Sequence, residues 1–149
     1  MAEAMNEQAL PGAPMMHRVL GVVAVLVVGA VAAYVGAQMR AAPETALALA
    51  FLTDIQQQAP TAAERAEGDA LAVLGGARGE STPGFGAVRD SLSFQAVSTT
   101  VEWGGRCVEV DAYGTVRHKL YVEVMEGTAG FRVTRVLTSP PYSGPCSGD

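Results

Sequence analysis

From Val19 to Ala37 the chain carries no charged side chain, and no other feature limits its architecture as much. Wound as a helix at 1.5 Å per residue, the run reaches about 28 Å, the hydrocarbon thickness of a bilayer. Valine and alanine dominate it. Its only polar group is the Tyr34 hydroxyl, and Arg18 and Arg40 bracket it where their side chains can reach the two interfaces. A helix buried in the core of a small soluble domain keeps a polar stripe, and this run has none. The expectation is a transmembrane helix over 19–38. It follows a disordered tail over 1–18, where Pro11, Gly12 and Pro14 interrupt any periodicity.

The rival reading is a cleaved export signal, because Val35-Gly36-Ala37 places small residues before Gln38. The long leading segment, with Glu3 and Glu7 and only Arg18 as a basic residue, favours an uncleaved anchor, as does the length of the run. Either way, residues after Ala37 cross the membrane if the tail stays in the cytoplasm. One arginine at each end leaves orientation unfixed by the excess of positive charge on the inner side. Within the run, Gly29 and Ala33 have the small-xxx-small spacing that lets a second helix approach closely. The expected partners are therefore the lipid bilayer and a membrane protein.

After Gln38 the chain holds nine basic side chains (Arg40, Arg65, Arg78, Arg89, Arg106, Arg117, Lys119, Arg132 and Arg135) against thirteen acidic ones, with no basic block. With a net charge of −5 for the whole chain, this argues against nucleic-acid binding. The preference for arginine over lysine, with abundant Ala, Gly and Val, suggests a GC-rich bacterial genome. The expected location is a bacterial inner membrane, single-pass, with the C-terminal domain periplasmic or extracellular. Cys107 and Cys146 are the only cysteines. An even pair in an exported domain is most simply a disulfide, and closing a loop of about forty residues would contribute on the order of 4 kcal/mol. The alternative is two separate thiols. The chain has no CxxC, and His17 and His118 are its only histidines, so a zinc or copper site lacks ligands and no metal or cofactor is expected.

From Pro43 the pattern is helical. Proline suits a first helical position, Glu44 stands in the first turn, and Leu47, Phe51 and Ile55 recur every four residues up to about Gln58. Thr61 to Glu64 reads T-x-x-E, a capping box that would open a second helix carrying Leu71 and Leu74 and ending at Gly75-Gly76. Gly75 to Asp90 reads as a long loop, with Phe85 tucked beneath it. After Asp90 the period becomes two. "SLSFQAVSTTVEW" predicts a strand with Leu92, Phe94 and Ala96 on one face and a bulge before Val101 and Trp103. Gly104-Gly105 then makes a tight turn into a strand bearing Val108 and Val110. "TVRHKLYVEVMEG" alternates Val116, His118, Leu120, Val122 and Val124 against polar residues, and "GTAG" returns the chain into "FRVTRVLT". The expected fold is α+β: one or two helices on one face of a four-stranded antiparallel sheet over 39–138. The tail over 139–149 is too proline-rich to pair and should cross the surface.

Chemistry-bearing residues are few. "STPGFG" does not qualify as a phosphate loop, since no strand precedes it and no Lys-Ser/Thr follows. His118 is the one polar residue on an apolar strand face. It could line a pocket, although a histidine satisfied by a nearby carbonyl is the commoner case. Glu102, Glu109 and Asp111 read as a solvated sheet face, and Ser139 and Ser143 have neither a histidine nor a nucleophile elbow near them in sequence. No catalytic residue is assigned.

The order of parts resembles the cytochrome c oxidase assembly factor family with its membrane-anchored domain. The residues that carry the likeness are Ala46 to Leu52, Leu74-Gly75, Gly114, Leu120-Tyr121-Val122, and Gly130-Phe131-Arg132-Val133 through Val136. Phe131 stands where that family usually has tryptophan, and the helical region here is longer. The likeness implies a non-enzymatic accessory protein docking on a larger membrane complex, such as a respiratory oxidase. A second likeness is to exported domains of the nuclear-transport-factor-like cone fold. It rests on "ALAFLTDIQQQ" and "VEVMEGTAGFRVTRV" and implies a ligand pocket near His118. The first predicts a filled core with an exposed apolar or strand-edge patch, the second a cavity.

Overall fold

The computed structural model describes residues 42–102 and 104–147, together with residues 27 and 28. The rest of the expected 19–38 membrane run lies outside the described residues, as do the 1–18 tail, Gly29 and Ala33. Among the described residues no helix is long and apolar enough to cross a membrane.

Helix α1 (Pro43–Gln56) begins with proline, whose missing N–H costs nothing in a first turn. Its spacing buries Ala48, Phe51, Leu52 and Ile55 along one stripe. Two short helices follow, α2 (Thr61–Arg65) and α3 (Gly68–Leu74), where the sequence pattern predicts one. The break has a physical cause. After Ala66 the chain turns outward to the sheet, the Glu67 N–H donates to the Val133 carbonyl at 2.9 Å, and Gly68 takes a φ of +60°. The expected capping box does not form. The Thr61 hydroxyl donates to Asp54 Oδ2 at 3.0 Å instead, on the same oxygen that receives Arg65 Nε at 2.8 Å.

The stretch expected to be a loop contains helix α4 (Thr82–Arg89). Its glycines are poor helix formers, but Phe85 and Val88 are 1% and 0% exposed and pull the turn onto the core. Phe85 meets Phe51 edge-on at a centroid distance of 6.0 Å. The segment leading into α4 is fixed by the Asp69 carboxylate, which accepts the N–H groups of Glu80 at 3.1 Å and Ser81 at 2.7 Å.

Four strands form one antiparallel meander in the order β1-β2-β3-β4: β1 (Ser91–Glu102), β2 (Gly105–Gly114), β3 (His118–Gly127) and β4 (Gly130–Leu137). The first hairpin closes with Glu102 opposite Gly105, so Gly105 opens β2 instead of forming the turn with Gly104. The last closes with Gly127 opposite Gly130, as "GTAG" predicts. Helices cover one face. Val108, Val110, Leu120, Val122, Val124, Val133 and Val136 point into the core from that face, all fully buried. Two expectations about strand faces fail. Leu92 is 81% exposed, because the register slips between Ser91 and Ser93 and carries it off the core face, and Val116 is 60% exposed in the turn before β3.

Candidate functional site

The sheet's second face, away from the helices, collects most of the polar chemistry of the domain. Cys107, Glu109, Asp111, Lys119, Tyr121 and Glu123 alternate onto it from β2 and β3. Arg135 reaches it from β4 because of a bulge. Glu123 pairs with Arg135 while Val124 pairs with Val133, so Thr134 is the extra residue that turns Arg135 outward between two buried valines.

Glu123 is 2% exposed and yet fully partnered. Arg135 Nε donates to its Oε2 at 2.5 Å and Nη2 to its Oε1 at 2.9 Å, a two-pronged grip that matches the carboxylate plane. The Cys146 N–H adds a third donor at 3.2 Å. Arg135 also donates to Glu80 Oε2 at 2.6 Å and to the Ser143 carbonyl at 2.8 Å. One guanidinium thus joins β3, the segment before α4 and the C-terminal segment. The hydrogen bond that Arg135 donates to Glu123 raises its pKa above the ordinary value, against the opposing effect of burial.

The C-terminal segment crosses this face, and Cys107 and Cys146 are joined by a disulfide with a Cα–Cα distance of 4.8 Å. Beside the bond lies an open groove of about 380 Å³, walled by Thr100, Glu109, Tyr121, Pro140 and both cysteines. Neighbouring ion pairs set an exposed cation against a carboxylate: Lys119 with Glu109 at 3.2 Å, and Arg117 with Asp111 at 2.5 Å. Asp111 is buried beneath Arg117, where the sequence pattern predicts a solvated residue.

His118 stands at the first position of β3 opposite Ala112, half-buried. It does not belong to the lining of the groove on the second sheet face, nor to that of another of about 310 Å³ between α1, α2 and Arg89. Among the described residues no three potential metal ligands converge.

The two sheet edges differ. The edge of β4 is covered: Glu67 N–H donates to the Val133 carbonyl, and the Val136 N–H donates to Ser81 Oγ at 2.9 Å. The β1 edge receives one such contact among the described residues, from Gln56 Nε2 to the Ser91 carbonyl at 2.7 Å. From Ser91 to Val101 it carries no charge, no proline and no glycine, and Leu92, Val97 and Val101 are 81%, 52% and 65% exposed. Natural sheet edges are usually guarded with charged residues, lysine above all, or with proline. Here only two register irregularities interrupt it.

Sequence reasoning missed both the Arg135–Glu123 grip and the apolar edge. The three-residue interval between Val133 and Val136, in a strand where two is the rule, is the one sequence signal that marks the bulge behind the first. No protein-family model, curated protein or solved structure matches the chain.

Proposed function

We propose that this chain is a single-pass membrane-anchored accessory protein. Its α+β domain docks, through the edge of β1, on a larger membrane complex. The observation that carries the reading is the uncharged Ser91–Val101 edge with Leu92, Val97 and Val101 facing water, beside a β4 edge that is covered. A long unguarded edge invites addition of a strand from another chain. The uncharged Val19–Ala37 run supplies the anchor. The domain then acts by binding, without catalysis, on the far side of a bacterial inner membrane. A respiratory oxidase is the complex suggested by the resemblance to the assembly factors.

The test is a crosslinked pull-down of the intact protein from native membranes, with mass spectrometry of both bait and prey and with Val97→Lys in parallel. Oxidase or other membrane-complex subunits should come down with a full-length bait and be depleted with the variant. A bait beginning at Gln38, alone in the soluble fraction, would show instead that the apolar run is a cleaved signal.

A further inference from the structure

The disulfide and the core lie on opposite faces of the sheet. Cys107 alternates with Val108 and Val110, so its sulfur points away from the helices, and neither cysteine belongs to the core cluster. The C-terminal segment 139–147 forms no strand, and Pro140, Pro141 and Pro145 remove the donors a ladder would need. Among the described residues, few contacts besides the disulfide hold it. Arg135 donates to the Ser143 carbonyl at 2.8 Å, the Cys146 N–H donates to Glu123 at 3.2 Å, and Pro145 lies against Gly105. Gly144 has a φ of +107° and sits so close to Arg135 and Glu123 that a β-carbon there would collide with both. The segment is therefore shaped to this face but tied to it covalently at one point. Cys107 and Cys146 are 4% and 6% exposed, and the groove of about 380 Å³ has both residues in its wall, which makes it the side from which a reagent would approach the bond.

We propose that segment 139–147 is a redox-latched strap: a dithiol reductant entering by the groove opens the Cys107–Cys146 bond, and the strap lifts to expose Glu123 and Arg135 while the α+β core stays folded. A thiolate of the dithiol attacks one sulfur, forms a mixed disulfide and displaces the other cysteine as a thiolate. The second thiol of the reductant then closes on the first and releases the remaining cysteine. The reductant leaves as its own disulfide, and two electrons and two protons have passed to Cys107 and Cys146. The bond lost is outside the core, so the hydrophobic contacts of β2 and β3 with the helices are unchanged by the step. This inference is independent of the anchor and of the docking edge.

Hydrogen exchange with mass spectrometry on the full-length protein tests it, comparing the oxidised form, the form reduced with dithiothreitol, and Cys146→Ser. On reduction, amides within 142–147 should exchange faster by on the order of tenfold or more, while those of Val108, Val110, Val122 and Val124 keep their protection. Cys146→Ser should reproduce that pattern without reductant. Unchanged exchange in the strap would overturn the proposal by showing that its polar contacts hold it alone. Loss of protection across β2 and β3, or failure of Cys146→Ser to fold, would overturn it by making the bond a staple for the whole domain.

Discussion

Arg135 on β4 holds both carboxylate oxygens of Glu123 on β3, at 2.5 and 2.9 Å, on the sheet face opposite helices α1 to α4. The pair is unequal in burial: the glutamate side chain is 2% exposed and the arginine side chain 19%. Removing the cation leaves a buried carboxylate with one remaining donor, the Cys146 N–H. Arg135→Ala should therefore cost about 3 kcal/mol in denaturant unfolding, as breaking one partner of a buried pair does. Replacing both together, as Glu123→Leu with Arg135→Met, should cost clearly less than the single change, because no charge is then left without its partner. Equal losses would mean that the pair acts chiefly through packing.

Two glycines of α4 should respond in opposite directions to the same substitution. A β-carbon on Gly84 would collide with the Val136 carbonyl, whereas one on Gly86 meets nothing within 4 Å. Gly84→Ala should destabilise by about 1 to 3 kcal/mol through overpacking. Gly86→Ala should stabilise by about 0.5 to 1 kcal/mol, since alanine is the better helix former and loses less backbone freedom on folding. Thermal or urea unfolding of the two variants beside the parent checks both signs.

The same helix shows where sequence reasoning reaches its limit. The meander was legible because its alternation and its glycine turns are local signals, and α1 because Leu47, Phe51 and Ile55 mark one helical face. Helix α4 was not, since Gly84 and Gly86 argue against a helix locally and only the burial of Phe85 and Val88 against distant residues outweighs them. Alternation places Leu92 on the core face, and the register slip that turns it to solvent is invisible in an alternating pattern. The Arg135–Glu123 grip joins neighbouring strands across a bulge, and the Val133–Val136 interval marks the bulge without naming the pairing it creates. What the sequence stated about the domain was its period. The irregularity between Ala96 and Ser98 agrees with the bulge expected before Val101, whereas the slip between Ser91 and Ser93 has no such signal.

Lys119 is the only lysine in the chain, so its titration can be read without ambiguity. The hydrogen bond from its ammonium to Glu109 raises its pKa above the ordinary 10.5. A group whose folded pKa is raised contributes stability that is complete below its unfolded value. That contribution is lost as pH climbs through the folded one, here above 10.5. NMR titration of the Lys119 ε-methylene should therefore show a midpoint above 10.5, and Glu109→Gln should bring it down. An unmoved midpoint in that variant would remove Glu109 as the cause.

The β1 edge separates a docking surface from a purely structural one. Leu92 and Val97 are 81% and 52% exposed, so replacing either with lysine removes little buried area and should leave unfolding free energy within about 0.5 kcal/mol of the parent. The same charge on a strand that receives a partner strand would be placed beside or beneath the incoming backbone, where desolvation opposes pairing. Leu92→Lys and Val97→Lys should thus leave melting behaviour unchanged while depleting membrane-complex subunits from a crosslinked pull-down. Glu64→Lys, which places the same lysine at an exposed position on α2 away from the β1 edge, should leave recovery intact. If all three variants recover the same subunits, the complex is held by another surface. If the two edge variants instead lose stability, the edge is already paired within the protein's own assembly.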